Sequence, residues 1–293
     1  MLLQSIKYTL LLCFLPICIH AQQTGLDTDV PDPGYWQFSA GDTAIIFADM
    51  AYIRNSPGLE GSMVSDSLQA GTKAVIVDEA LSSSTIKGFR APWQEIRYRK
   101  GGQEKHGYIW LGLLAIGHTT IDNGQICLYG FDRYIPVQGD HYASFSCAVK
   151  LIGPQQQIVA RHPFSFGYTE QSATEIKGLN GMGLKGLRNI IWIGFLGEAC
   201  AISSDYFYFG WNGSTFIPLP GAYRVSDAGV FYHSEQMLFP SEHKKAANII
   251  YKMIEEGVSI EEGEGKEMLY KIKKKKETYL WNGKWYVKVK GSK

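Results

Sequence analysis

The chain has 293 residues, a length that suits one or two domains. Its 29 Lys and Arg residues nearly balance 28 Asp and Glu residues, and a net charge of +1 excludes the strongly basic surface of a typical nucleic-acid-binding protein. With 17 Tyr, 14 Phe, 7 Trp and 32 Gly and few long helical patterns, the composition favours a mainly β protein.

The amino terminus has the three-part pattern of a secretory signal peptide. Lys7 is the only charge before an almost wholly apolar run over residues 10–19, and Ala21 precedes a plausible cleavage point. The run is shorter than the roughly 20 residues that a membrane-spanning helix needs. We therefore predict a signal peptide over 1–21, a mature chain beginning at Gln22, and a secreted or periplasmic protein without a membrane span after cleavage. A retained anchor is the alternative.

Residues 22–40 form the predicted linker. The stretch Pro31-Asp32-Pro33-Gly34 is typical of an extended arm or a turn. Tyr35 and Trp36 are too apolar for a free linker. We expect these two rings to pack on the unit that follows.

Residues 41–117 contain short apolar runs bounded by Gly, Pro and Ser. Lys73–Val77 is rich in β-branched residues, and Trp93–Tyr98 mixes polar and apolar side chains on both faces. Runs of this length predict strands instead of helices. Gly71 suits a turn that enters a strand, and the Gly101-Gly102 pair suits a hairpin loop.

Four pieces of this stretch resemble a bacterial SH3-like (SH3b) domain in their order and spacing. They are Ala51–Pro57, Leu68–Lys73, Trp93–Tyr98 and Gly107–Trp110. The resemblance covers about a quarter of the chain and implies a small β-barrel over 41–117 that binds peptidoglycan or a peptide. Residues 79–92 form a longer, Ser-rich insertion than the family pattern has, which could reshape a ligand groove.

The resemblance also implies a set of ligand-binding residues. These are Tyr52, Arg54, Asn55, Trp93, Tyr98, Tyr108 and Trp110. In a barrel this small, Trp93 and Tyr108 can instead belong to the core, and Arg54 can instead fix the first loop.

Residues 118–293 are predicted to form a larger β-rich domain. Residues 144–151 alternate, with Phe145, Cys147, Val149 and Leu151 on one face and Ser144, Ser146 and Lys150 on the other, which predicts a half-buried strand. Residues 190–195 are apolar on both faces and predict a central strand. Asn212-Gly213 and Asn282-Gly283 each lie between aromatic runs and predict two hairpins, which suggest a duplicated β unit.

One helix and one basic strand complete this domain. Ser241 can cap a helix whose apolar positions recur at helical spacing through Ala246, Ile249, Ile250, Met253 and Ile254 and which Gly257 can end. The lysine-rich stretch 271–276 predicts an exposed edge strand, with Met268, Tyr270 and Ile272 on its buried face. Attraction of these lysines to an anionic cell-surface polymer is the alternative.

Three cysteines remain after signal cleavage. An exported protein can form disulfides, and Cys127 with Cys147 is the favoured pair because both lie in strand-like stretches close in sequence. Cys200 would stay single. The alternative is that all three are reduced thiols that pack as small apolar groups.

The motifs for cofactors and catalysis are weak. The Gly-x-Gly-x-x-Gly stretch at 181–186 is followed by a strand-like run and not by a helix, so we expect no dinucleotide cofactor, and no metal site is predicted. Cys200, with His162 or His233 as base, is the best candidate for a cysteine peptidase, but no helical pattern begins at it.

The sequence therefore favours an exported, non-catalytic protein that binds peptidoglycan or an envelope protein or peptide. Two rivals remain: a cell-wall hydrolase with its site in the C-terminal domain, and an adaptor that presents exposed aromatic residues to a protein partner.

Overall fold

The computed structural model describes residues 30–121, 124–139, 142–260 and 269–290. Within these ranges the protein is mainly β, as predicted, with twenty strands in antiparallel sheets and one short α-helix. The predicted signal peptide and residues 22–29 of the predicted linker lie outside the described residues.

The first sheet contains seven described strands, all from residues 41–117. They are β1 (Thr43–Ile45), β2 (Met50–Arg54), β3 (Val64–Gln69), β4 (Lys73–Ile76), β5 (Ser83–Ile86), β6 (Phe89–Lys100) and β7 (Gln103–Trp110). Their order is β1-β4-β6-β7-β2-β3, with β5 paired to β6.

The predicted closed barrel is wrong for these described strands, because β1 and β3 end the sheet without pairing to each other. The second edge of β1 is taken by the chain that follows β7. Ile46 forms a bridge with Leu114, and the Ala115 amide donates to the Ile45 carbonyl. The backbone groups on this edge of β1, which would pair with another strand in a closed barrel, therefore bond to the chain after β7.

The end of the predicted linker joins two parts of the molecule. Trp36 stacks on Phe89 of β6 at 6.0 Å between ring centroids, so this ring packs on the first sheet as predicted. Tyr35 packs instead on Phe131 and Phe195, each at 5.8 Å, which belong to later strands.

The second sheet has four strands. They are β8 (Gly117–Thr120), β9 (Ile126–Ile135), β10 (Ser144–Ile152) and β11 (Ile158–Phe166), in the order β11-β10-β9-β8. The strand predicted at 144–151 is confirmed, and its four apolar residues named above are fully buried.

Lys150 departs from the predicted polar face, because its side chain is buried. Its ammonium donates to the Phe47 carbonyl at 2.7 Å and to Asp49 Oδ1 at 2.6 Å, and it lies 4.1 Å from the Phe47 ring centroid. Burial lowers the pKa of Lys150, and the Asp49 carboxylate opposes that shift. The alternation in the sequence does not predict this burial, because the first sheet, which covers this face of β10, is distant in sequence.

The predicted Cys127–Cys147 disulfide is wrong. The register places Cys127 opposite Leu151 and Cys147 opposite Phe131, four positions apart on β9. That offset is about 13 Å at the rise of an antiparallel strand, beyond the roughly 4.4–6.8 Å between Cα atoms that a disulfide spans. Both thiols are free and buried, and burial raises the pKa of each.

The third sheet has nine strands. They are β12 (Ala173–Asn180), β13 (Asn189–Leu196), β14 (Ser204–Trp211), β15 (Phe216–Pro218), β16 (Ala222–Asp227), β17 (Phe231–Leu238), β18 (Ile249–Ser259), β19 (Tyr270–Trp281) and β20 (Tyr286–Lys288). The predicted central strand is confirmed as β13, which pairs with β12 and β14. Both predicted hairpins are confirmed, with Gly213 at φ 100° and Gly283 at φ 94°.

The predicted helix after Ser241 is wrong over most of its length. The helix α1 covers only Pro240–His243, and Ile249–Ser259 is the strand β18. β18 pairs along its length with both β17 and β19. The β-branched residues of this stretch suit a strand, and pairing on both sides outweighs the helical spacing of its apolar residues.

The lysine-rich stretch lies in β19 and is exposed, as predicted. The prediction that Ile272 lies on a buried face of this strand is wrong, because the Ile272 side chain is half exposed. Met268 lies outside the described residues.

One hydrophobic core extends across the predicted domain boundary at 117–118. It contains residues of the first sheet, such as Phe89 and Trp110, together with Phe131, Phe145 and Phe195 of the second and third sheets. Glycine permits one close approach: a Cβ on Gly130 of β9 would lie 2.7 Å from the Phe47 ring. The domain boundary itself stays a prediction.

Candidate functional site

The predicted ligand-binding residues divide between an outer face and the interior. Along β2 the side chains of Tyr52 and Arg54 face outward while Ala51 and Ile53 are buried. Arg54 lies opposite Tyr108 of β7 and opposite Val64 of β3. Strand alternation thus brings Tyr52, Arg54 and Tyr108 to one side of the sheet.

Arg54 and Asn55 organise the loop that joins β2 to β3. The Arg54 guanidinium donates from Nη1 to the Ser62 carbonyl and to Ser62 Oγ, each at 2.8 Å. The side-chain oxygen Oδ1 of Asn55 accepts from the Met63 backbone amide at 2.9 Å. Arg54 is half-buried and Asn55 is exposed. These contacts give both residues a structural role and fix the loop beside Tyr52.

An exposed apolar surface surrounds these residues. Tyr52 is 58% exposed, Met63 70% and Val64 51%, and Met50 lies outward on the same strand as Tyr52. We call Met50, Tyr52, Arg54, Asn55, Met63, Val64 and Tyr108 the hairpin face. Neighbouring exposed apolar side chains of this kind mark interaction surfaces more often than isolated ones do.

Trp93 and Trp110 lie under the Ser-rich insertion. They are opposite each other on β6 and β7, and both are buried. The insertion forms β5, and Ser84 accepts both indole N–H groups: Oγ from Trp93 at 2.8 Å and the carbonyl from Trp110 at 3.0 Å. The insertion therefore covers the rings that the SH3b resemblance places in a ligand groove.

Tyr98 is also buried, and its partner is Asp66, a residue that the sequence analysis did not single out. The Tyr98 hydroxyl donates to Asp66 Oδ2 at 3.1 Å, and Lys100 and Lys105 donate to the same carboxylate. The Lys100 contact is the largest cause that holds the pKa of Asp66 below its usual range. Burial, followed by the Asp66 contact, raises the pKa of Tyr98 to about 12.

No sequence pattern identifies Asp66, because its partners are 32 to 39 residues away in the chain. Its position in a polar stretch of β3 is typical of an exposed strand. Only the pairing of β2 with β3 and β7 brings the carboxylate to Tyr98 and the two lysines.

Apart from the hairpin face, the structure has a concave surface between β11 and β14. This aromatic cleft of about 370 Å³ is lined by His162, Phe164, Asp205, Phe207, Phe209 and Tyr223, among others. Burial raises the pKa of Asp205, while hydrogen bonds from Ser203 at 2.8 Å and Gln171 at 3.1 Å oppose that shift. Burial lowers the pKa of His162. The cleft offers an apolar wall with two carboxylates that already have partners, since Glu235 pairs with Lys252 at 2.9 Å.

Cys200 lacks the surroundings of a peptidase nucleophile. It is exposed on a turn, and no helix begins there. Cys200 and His233 line another cleft, separate from the aromatic one. However, the Nε2 of His233 lies 3.4 Å from Glu235 Oε1 and its Nδ1 lies 3.3 Å from Glu256 Oε1. Both ring nitrogens thus face carboxylates and not the thiol, which a catalytic pair would require.

Comparison of the chain with protein-family models, with curated proteins and with solved structures finds no match. Among the described residues, none of the helices is both long and apolar enough to cross a membrane. The same ranges contain no group of three or more His, Cys, Asp or Glu side chains that could hold a metal ion.

Proposed function

We propose that this chain is an exported, non-catalytic binding protein that recognises peptidoglycan or a peptide of the cell envelope through the hairpin face. The observation that carries the proposal is the exposure of Tyr52, Met63 and Val64 around Arg54. Aromatic rings and guanidinium groups contribute most to binding in protein interfaces. They contribute more when apolar neighbours surround them and the surface is ordered before binding.

The hydrogen bonds from Arg54 and Asn55 support this proposal because they hold the loop in place before a ligand arrives. A surface ordered in advance loses less conformational entropy on binding. The orientation of His233 away from Cys200 supports binding over peptide hydrolysis at this cysteine.

The mature protein tests the proposal in two assays. We expect it to sediment with purified cell-wall sacculi, or to capture an envelope peptide, without changing muropeptide composition. Tyr52→Ala with Arg54→Ala should weaken binding about tenfold or more, since interface Tyr and Arg residues often contribute upward of about 1–2 kcal/mol each. Tyr142→Ala with Arg99→Ala removes an exposed ring and an exposed guanidinium elsewhere and should leave binding unchanged.

Because Arg54 also fixes the loop, a second variant separates binding from folding. Tyr52→Ala with Met63→Ala keeps every hydrogen bond of Arg54 and should weaken binding with a nearly unchanged thermal midpoint. Unweakened binding by this folded variant would contradict the proposal. Muropeptide cleavage that disappears in Cys200→Ser would replace it with a hydrolase.

A further inference from the structure

The third sheet contains two copies of one three-stranded unit. The first copy is β13-β14-β15 and the second is β18-β19-β20. Each begins at an Asn-Ile-Ile stretch, at Asn189 and at Asn248, and each turns at a Trp-Asn-Gly stretch, at Trp211 and at Trp281. The turns are built alike, since Asn212 accepts from the Ser214 and Thr215 amides and Asn282 from those of Lys284 and Trp285.

Within each copy, the three strands also pair in the same register. In the first, Ile190 lies opposite Gly210, and Gly210 opposite Ile217. In the second, Ile249 lies opposite Leu280, and Leu280 opposite Val287. A shift of 70 positions therefore relates β14 to β19, so each edge of one strand can be compared with the same edge of the other.

The two copies differ at the outer edge of the middle strand. In the first copy β15 pairs with Phe209–Trp211, and β16 then pairs with Ser204–Tyr206. In the second copy β20 pairs with Tyr279–Trp281. Lys274–Lys276 correspond to Ser204–Tyr206, but within the described residues no strand pairs with the outer edge of β19 over 271–277. We call this segment the open edge.

The open edge carries five lysines: Lys271, Lys273, Lys274, Lys275 and Lys276. Lys274 contacts Glu255 at 2.8 Å and Lys275 contacts Glu277 at 3.1 Å, yet their side chains remain 71% and 69% exposed. A second copy of the same strand would place lysines next to lysines, which opposes self-pairing. A strand with carboxylates would place opposite charges together.

We propose that the open edge receives an extended acidic segment of a partner protein as an added strand, at the position that β16 occupies on β14. Main-chain hydrogen bonds would supply the pairing and the lysines would select the charge. This inference does not depend on the hairpin face, which lies on the first sheet, so either proposal can fail alone.

The probe is a nine-residue peptide in which Glu alternates with Val, labelled for fluorescence polarisation and titrated with the full mature protein. We expect saturable binding that weakens with salt, because the contacts are between exposed charges. A peptide with Lys in place of Glu should not bind. The acidic peptide with every amide N-methylated keeps its charge but loses the strand donors on both of its edges, and we expect it to bind at least tenfold more weakly.

Two variants locate the site. Lys271→Glu with Lys273→Glu changes two lysines that form none of the ion pairs above, and should weaken binding about tenfold or more as two cross-strand attractions become repulsions. Lys73→Glu with Lys185→Glu makes the same change in charge at exposed positions elsewhere and should have little effect. Circular dichroism checks that both variants fold.

Four results would overturn the proposal. Equal binding of the N-methylated peptide would show attraction to any polyanion instead of strand addition. Equal binding by both double variants would place the site elsewhere. Absence of binding at millimolar peptide would exclude an acidic strand as the occupant. So would concentration-dependent dimerisation of the protein that is lost in the variant Lys271→Glu with Lys273→Glu.

Discussion

Asp66 connects three strands of the first sheet through one carboxylate. It lies on β3 and accepts from Tyr98 and Lys100 of β6 and from Lys105 of β7. The carboxylate is largely buried, while both lysines are partly exposed. The contact with Tyr98 explains why this ring, predicted to bind a ligand, is instead held in the interior.

Asp66→Asn should lower the free energy of unfolding at pH 7 by about 1–2 kcal/mol, because the hydrogen bonds lose a charged acceptor. The folded pKa of Asp66 lies below the value of about 3.9 for an unfolded chain, so its stabilisation is present above that value. It is lost as the pH falls from about 4 through the folded pKa. Urea unfolding at pH 7 and pH 3 should show a smaller acid-induced loss in the variant.

Tyr98→Phe is the control for this experiment, since it removes one donor and keeps the carboxylate with its two lysines. It should retain the acid-induced loss. A difference between wild type and Asp66→Asn that is the same at both pH values would show that ionisation of Asp66 does not stabilise the fold.

At the scale of elements, the insertion at 79–92 determines which aromatic rings are accessible. Its strand β5 pairs with β6, and Ser84 accepts from two tryptophans. An insertion that forms its own strand covers a groove more firmly than an irregular loop, because its backbone groups are paired. The hairpin face lies outside this cover and stays exposed.

Replacing residues 80–87 with a short Gly-Ser turn should expose Trp93 and destabilise the protein by about 2–4 kcal/mol, since one large buried ring loses its cover. Fluorine NMR of protein labelled with 5-fluorotryptophan can follow Trp93, which Trp93→Phe assigns. We expect the Trp93 signal to become sensitive to a soluble paramagnetic agent, while the signal of Trp281, which is buried in the third sheet, does not change. A protected Trp93 in the shortened protein would contradict the covering role of β5.

At the scale of the whole molecule, the packing links the first two sheets closely. Phe89 of β6 contacts Phe131 and Phe145 of the second sheet at 5.8 and 5.5 Å between ring centroids. Lys150 adds a buried hydrogen bond to the Phe47 carbonyl. Separating the sheets would expose these rings to water and leave that lysine without its partners, so the two regions stabilise each other.

We therefore expect the first and second sheets to unfold together with the part of the third sheet that shares their core. In urea titrations of 5-fluorotryptophan-labelled protein, the native signals of Trp110 and Trp211 should disappear at the same concentration, because both rings belong to one core. Phe131→Ala should lower both midpoints, at a cost of about 3–5 kcal/mol. A Trp110 signal that survives the loss of Trp211 would instead support an independent unit at 41–117.

Local signals in the sequence determined the strands with simple patterns. The alternation at 144–151, the apolar run at 190–195 and the two Asn-Gly turns each predict the observed element, because each depends on side chains only a few positions apart. The outward position of Tyr52 and Arg54 follows from the same alternation. The SH3b resemblance stays a prediction.

Tertiary structure decided the rest, because the deciding neighbours are distant in sequence. Pairing with β17 and β19 made Ile249–Ser259 a strand despite its helical spacing. The register of β9 against β10 separated Cys127 from Cys147, and the first sheet buried Lys150. Burial, register and partners at an edge belong to the packed chain as a whole, so no window of the sequence contains them.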